Sequence, residues 1–156
     1  DGHIEFREFC YYRILSSQLA QAMSPGSRTR KRASKSEIRS SATQLIRILA
    51  NQGNDDPGAA ERAYRAGIAA FGSWADEITA KTGQLLTVGD LDRSLDTLAA
   101  LNSKGRQRLL EAVGRCISQD GRLSLAEAEL LRAVCATLDC PLPPLLAAIE
   151  ADNAAQ

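Results

Sequence analysis

Apolar residues recur at every third or fourth position along most of this chain, and that spacing limits the fold more than any other feature. One segment shows the pattern with five members: Ile38, Ala42, Leu45, Ile46 and Leu49. The spacing places these residues on one face of an α-helix. Runs of β-branched residues are nearly absent, and Ala and Leu carry most of the apolar content, which favours helices. The sequence therefore predicts an all-α fold.

Start and stop signals divide the pattern into about seven or eight helices in a compact array. Residues 34–37 (Ser-Lys-Ser-Glu) have the form of a capping box. Asp56 and Pro57 combine an N-cap residue with a proline at the first helical position. Ser103 is the cap expected for a later helix. After a proline-rich stretch we expect a last short helix around Leu145.

The first helix is predicted from about Phe6 to Ala22, and it carries two apolar stripes. The first stripe consists of Phe6, Phe9, Cys10 and Ile14. The second stripe consists of Tyr11, Leu15, Leu19 and Ala22. Two stripes on one helix predict burial on more than one face.

Three residues of the later helices have structural interpretations of their own. Gly67 interrupts an apolar face, which indicates either a close approach of a second helix or a glycine that is merely tolerated. Asp92 and Asp96 lie four residues apart among polar neighbours, so we expect them on the solvent face of their helix.

Length and charge limit the classes of function. The 156 residues fit a single domain, 1–156, with room for a proper core. The 19 basic and 19 acidic residues cancel, so no overall field recruits nucleic acid. No apolar stretch approaches the roughly 20 residues of a membrane span. Because the chain opens on Asp1 with neither a leader pattern nor an initiator Met, we expect it to belong to a longer protein.

Residues 24–36 contain a basic run, RTRKRASK, without any large apolar residue. One interpretation is a patch that binds nucleic acid or anionic lipid. The other is a solvated linker, since such runs are usually exposed. No aromatic residues are interleaved as stacking platforms. We therefore expect a mobile basic linker within the domain.

The cysteines and the single histidine argue against a zinc site. Cys10, Cys116, Cys135 and Cys140 show no CxxC spacing, and His3 has no companion ligand. We expect four reduced thiols in a cytosolic compartment.

A short motif occurs twice, far apart in the chain. The opening DGHIEFRE is matched by DGRLSLAE, which begins at Asp120. Asp, Gly and the final Glu coincide, and apolar residues match at Ile4 with Leu123 and at Phe6 with Leu125. We expect the same local structure at two helix starts.

The spacing within each copy matches the second half of an EF-hand loop, in which Gly stands at position 6 and a bidentate carboxylate at position 12. Gly121 and Glu127 have that separation, as do Gly2 and Glu8. Positions 1 and 3 of the second copy fall on a cysteine and a serine, which are poor calcium ligands. An ordinary EF-hand is therefore not expected there.

Two interpretations of the repeat stay open. Asp-Gly is a common turn, and residues 124–127 satisfy the capping-box pattern, so the copies can be helix-entry architecture alone. Alternatively, carboxylates from one or both copies hold a divalent cation, and oxygen ligands favour Ca²⁺ or Mg²⁺. The ligands are then Asp1, Glu8, Asp120 and Glu127.

The two Asp-Gly…Glu entries resemble the TerB-like helical domain of tellurite-resistance proteins. Residues 1–15, 45–72 and 91–146 resemble, in that order, the C-terminal cytosolic region of certain bacterial membrane-bound zinc metallopeptidases, relatives of HtpX and the CAAX prenyl protease. In that family the catalytic domain, with its membrane spans and its H-E-x-x-H zinc helix, lies upstream. This chain has one His and lacks the motif, so no catalytic residue carries over.

The resemblance implies a non-catalytic regulatory or interaction domain at the cytoplasmic face of the bacterial inner membrane. The membrane and the zinc would then belong to the parent protein only. The expected partners are the parent's catalytic domain, another protein or a second copy of this chain. The alternative is a freestanding TerB-like module of the stress response that binds a divalent cation.

Overall fold

A computed structural model describes residues 2–23, 32–75, 86–142 and 155, and within these residues it contains six α-helices and no β-strand. The helices are α1 (Gly2–Met23), α2 (Lys35–Gly53), α3 (Pro57–Ile68), α4 (Val88–Leu98), α5 (Ser103–Ile117) and α6 (Leu125–Leu138). Short 3₁₀ turns follow two of them, at Ala69–Phe71 and at Ser118–Asp120.

The predicted all-α class is confirmed, although the described residues hold six α-helices rather than seven or eight. The last short helix, predicted around Leu145, falls outside the described residues, and so does most of the predicted linker. In the described part of the chain, no helix is both long and apolar enough to cross a membrane.

Helix α2 occupies the centre of the array and contacts α3, α4, α5 and α6. Its apolar face is almost fully buried, and Leu45, Ile46 and Leu49 are at most 1% exposed. Helix α3 packs against α5, while α1 lies along α6 and touches α4. The stripe predicted from the sequence of α2 is therefore the middle of the core.

Side-chain caps fix where most helices begin. At α2 the hydroxyl of Ser34 accepts from the amide of Glu37 at 3.2 Å, and the Glu37 carboxylate accepts from the Ser34 amide at 2.7 Å. Asp56 caps α3 with Pro57 at the first position, as predicted. The prediction for α5 was wrong by one residue, because the Asn102 side chain accepts from the amide of Gly105 at 2.9 Å.

Gly67 lies where α3 approaches both α2 and α5. A Cβ at this position would lie 2.7 Å from Cγ2 of Ile46 and 3.1 Å from the carbonyl oxygen of Ala112. Only a residue without a side chain fits between these atoms. The close helix–helix approach, rather than a merely tolerated glycine, is confirmed.

The start of α1 differs from the prediction, since the helix begins at Gly2 and not near Phe6. The two copies of the repeated motif therefore have different backbones, because residues 121–124 lie before the first turn of α6. The sequence supplies a reason. The second copy has Ser124 as N-cap of α6, whereas the first copy has Glu5 at the equivalent position, and Glu is not among the side chains favoured as caps.

Candidate functional site

The second copy of the motif forms a tight turn followed by a capping box. Gly121 adopts the left-handed conformation at φ 69°, and Asp120 Oδ1 accepts from the amide of Arg122 at 2.9 Å. The hydroxyl of Ser124 accepts from the amide of Glu127 at 3.1 Å, and Glu127 Oε2 accepts from the amide of Ser124 at 2.8 Å. The predicted capping box at this helix entry is confirmed.

The carboxylate of Glu127 lies inside the protein. The residue is 2% exposed, and its side chain packs on Gly53 at the end of α2, where any added side chain would overlap it. Burial raises the pKa of Glu127, its hydrogen bonds with Ser124 oppose that shift, and the negative charge of Asp120 adds to it. The entry thus places two acidic groups close enough to interact, one of them buried.

The four predicted cation ligands do not all lie at the start of α6. Asp1 lies outside the described residues. Glu8 is exposed on α1, one and two helical turns before the exposed residues Tyr12 and Leu15. The structure therefore brings together Asp120 and Glu127, while Glu8 lies on the solvent side of another helix.

We call the turn and cap at the start of α6, residues 120–127, the α6 entry. Main-chain amides already donate hydrogen bonds to its carboxylate oxygens. Asp120 and Glu127 each accept a hydrogen bond from a main-chain amide. Among the described residues no group of three or more His, Cys, Asp or Glu side chains is arranged to hold a metal ion. A cation at this entry therefore has two carboxylates of the described chain to bind.

A second buried acid, Glu129, was not identified from the sequence. It is 3% exposed and accepts from Nε of Arg7 at 3.0 Å, from Nη2 of Arg7 at 3.3 Å and from the hydroxyl of Tyr11 at 3.2 Å. These bonds join α1 to α6. No sequence signal pointed to this acid, because its partners lie more than 110 residues away in the chain.

Arg13 also joins α1 to the rest of the molecule. Its guanidinium donates to Asp92 at 2.9 Å, to Asp96 at 2.7 Å and to the hydroxyl of Thr137 at 3.2 Å. Asp92 and Asp96 are about half exposed, as predicted for a solvent face. Their spacing of four residues lets both carboxylates reach one arginine, a role the sequence did not indicate.

Three of the four thiols are unsuited to nucleophilic chemistry. Burial raises the pKa of Cys10 and of Cys116 to about 12 and that of Cys135 to about 11. The neighbouring carboxylates of Glu129 and Glu127 strengthen the effect at the first two. All four cysteines are free, and Cys140 alone is partly exposed.

The outward face of α1 is apolar. We call it the α1 stripe, and its members are Tyr11, Tyr12, Leu15, Leu19 and Met23. They are 53% to 81% exposed and account for five of the seven large apolar residues that are exposed in the described chain. The expectation that both stripes of this helix are buried was wrong, because its first stripe alone packs on the core. Large exposed apolar patches on soluble proteins are often functional.

No protein-family model, curated protein or solved structure gave a match to this chain.

Proposed function

We propose that this chain is a non-catalytic interaction domain and that the α1 stripe is its contact surface. The observation that carries the proposal is the row of five large, exposed apolar residues on one helix. Leaving such a row in water costs about 25 cal/mol per Å² relative to burying it. A binding partner removes that cost, and the rest of the described surface has no comparable row.

The chemistry of the described side chains supports a binding role rather than a catalytic one. The three thiols with raised pKa values are buried and protonated at neutral pH. The buried carboxylates have structural tasks, since Glu127 caps α6 and Glu129 binds Arg7. These groups hold helices together. Glu129 lines a small pocket with Cys10, and the raised pKa of Cys10 keeps that thiol protonated.

The proposed context is a TerB-like domain attached to a membrane zinc metallopeptidase at the cytoplasmic face of the bacterial inner membrane. The ordered resemblance of residues 1–15, 45–72 and 91–146 supports this context. The reading frame upstream of the Asp1 codon tests it. Membrane spans followed by an H-E-x-x-H helix are the expected result, whereas a start codon within a few dozen residues and neither feature would contradict it.

Site-specific photo-crosslinking tests the interaction surface itself. A photoreactive amino acid replaces Leu19 in the chain expressed in its own bacterium, and the matched control replaces Ala20, which is exposed but off the stripe. We expect an adduct of defined mass at Leu19 and little at Ala20. Equal yields at the two positions, or none at either, would refute the α1 stripe as a contact surface.

A divalent cation at the α6 entry is a second candidate function. The observation in its favour is the placement of Asp120 and the buried carboxylate of Glu127 together at the start of α6, where a bound cation would offset their negative charges. Thermal unfolding after chelation, with Ca²⁺, Mg²⁺ or Mn²⁺ added back, tests it, because a ligand of the folded state raises the melting temperature. Unchanged melting with all three ions would exclude this candidate and leave the interaction domain unaffected.

A further inference from the structure

We propose that the occupant of the α1 stripe is a second copy of this chain, with the two α1 helices packed antiparallel. This inference rests on the proposed function, because it names the partner for the same surface. Three properties of α1 support a second copy as the partner: the position of the stripe on the helix, the fit of the stripe to itself and the absence of charge along it.

Most of the α1 stripe faces away from the core, although the Tyr11 hydroxyl at its edge donates to the buried Glu129 on α6. At about 100° per residue, Leu19 lies roughly 180° around the helix axis from Cys10. Cys10 is 3% exposed, while Leu19 is 62% exposed. Arg7 and Arg13, on the inner side, hold this orientation through their bonds to α6 and α4. A partner can therefore reach the stripe from Tyr12 to Met23 without displacing any described helix.

The stripe fits a reversed copy of itself. In an antiparallel pair that sets Leu15 opposite Leu19 of the other copy, the helical repeat sets Tyr12 opposite Ala22 and Tyr11 opposite Met23. A bulky ring then faces a small side chain. The thioether of Met23 meets an aromatic ring, which is a favourable contact. Each pair occurs twice in a two-fold dimer, so one set of side chains provides both halves of the interface.

The stripe also lacks charge. No charged residue occurs from Ile14 to Met23, so an antiparallel pair buries no ion and opposes no like charges along this length. Interface centres are depleted of charged residues in the same way. The nearest acid on this face, Glu8, lies at the N-terminal end of the stripe, where it stays in water.

The size of the surface sets the strength of the pairing. Tyr12 to Met23 spans about 17 Å of helix, and one helical face of that length buries less than the roughly 800 Å² per partner of a standard stable interface. We therefore expect a reversible dimer with a dissociation constant on the order of micromolar. Dilution separates it into monomers.

Sedimentation equilibrium of the 156-residue chain tests the proposal. Over about a hundredfold range around micromolar concentration, we expect the average mass to rise from 16.8 kDa towards twice that value. Replacing Leu15 and Leu19 together by Glu is expected to weaken pairing at least about tenfold, because each change occurs twice per dimer. Ala20→Glu, at an exposed position off the stripe, should leave pairing unchanged.

A second experiment tests the antiparallel arrangement in a Cys140→Ser background, which removes the partly exposed thiol. Chains carrying Leu15→Cys are mixed with chains carrying Leu19→Cys and oxidised. More mixed disulfide than either self-paired disulfide is expected. Predominant self-pairing at either position would refute the antiparallel arrangement.

The remaining outcomes separate this inference from the proposed function. A chain that stays monomeric while the Leu19 photo-crosslink joins it to an unlike protein would overturn the dimer and leave the interaction domain standing. A monomer that instead sediments with phosphatidylglycerol vesicles would overturn the dimer in favour of a lipid surface. A dimer that survives Leu15→Glu with Leu19→Glu would overturn the assignment to the stripe.

Discussion

Glu127 is the residue at which capping and electrostatics oppose each other. Its carboxylate accepts from the Ser124 amide at the start of α6. The residue is only 2% exposed, however, and the negative charge of Asp120 is close to it. Burial therefore raises its pKa above the ordinary value of 4.5. The folded protein therefore binds a proton at Glu127 more tightly than the unfolded chain does. The contribution of Glu127 to the free energy of unfolding falls as the pH rises from its ordinary pKa through its raised pKa in the folded protein.

Glu127→Gln keeps an oxygen that can accept from Ser124 and removes the charge. We expect its urea midpoint to match that of the wild type near pH 4 and to exceed it at pH 8. Glu37→Gln is the matched control, because Glu37 forms the same capping box while exposed and its hydrogen bonds with Ser34 lower its pKa. The ionised form of Glu37 stabilises the fold above the ordinary pKa of Glu. Glu37→Gln should therefore be less stable than the wild type at pH 8. Equal pH profiles for the two variants would contradict the account.

Two glycines on neighbouring helices allow a sharp comparison of packing. Gly67→Ala adds a methyl group 2.7 Å from Cγ2 of Ile46, so we expect a loss of about 1–3 kcal/mol in the free energy of unfolding. Gly114→Ala meets nothing within 4 Å, so helix propensity should raise stability by about 0.5–1 kcal/mol. Denaturant titration measures both. A stabilising Gly67→Ala would show that α3 and α2 can separate without cost.

At the scale of the elements, α1 is attached to the other helices through its first apolar stripe and through polar side chains beside it. Arg13 is 16% exposed and binds acids on α4 and a hydroxyl on α6. Arg13→Ala is expected to cost about 1–2 kcal/mol and to speed hydrogen exchange in α1 more than in α2. Arg93→Ala, which removes an exposed pair within one helix, should change stability by at most about 0.5 kcal/mol. Similar exchange in α1 for both variants would contradict this attachment.

The elements also show what the sequence could predict. Caps at Ser34, Asp56 and Ser124 were predictable because they depend on three or four adjacent residues. The periodicity of α1 identified which residues share a face, but the face that is covered depends on distant helices, so the exposure of Leu15 and Leu19 was not predictable. The pairing of Arg13 with Asp92 crosses 79 residues and has no local signal.

For the whole molecule, the buried core should protect three of its four thiols. Cys10, Cys116 and Cys135 are at most 3% exposed and their pKa values are raised. We expect a disulfide reagent at neutral pH to modify Cys140 rapidly and the other three only as the protein unfolds. Mass spectrometry of the modified peptides identifies the sites. Rapid modification of Cys116 in native protein would contradict the described core.

The same core also positions the candidate cation site at the start of α6. Helix α2 contacts α3 to α6, and the sequence predicted its buried face and the capping box at Glu127, although not the burial of that carboxylate. The α1 stripe is different, since it is defined by what the other helices leave uncovered. The repeated motif is therefore recognisable from the sequence, whereas the proposed contact surface is recognisable only in three dimensions.

The claim that α1 uses its outward face for binding is tested most directly by a photo-crosslinking scan of every position from Tyr11 to Met23. We expect yields that follow the helical repeat, with maxima at Tyr12, Leu15 and Leu19 and minima at Ile14 and Ser17. A flat profile, or maxima on the inner face, would show that the α1 stripe is not the contact surface of this protein.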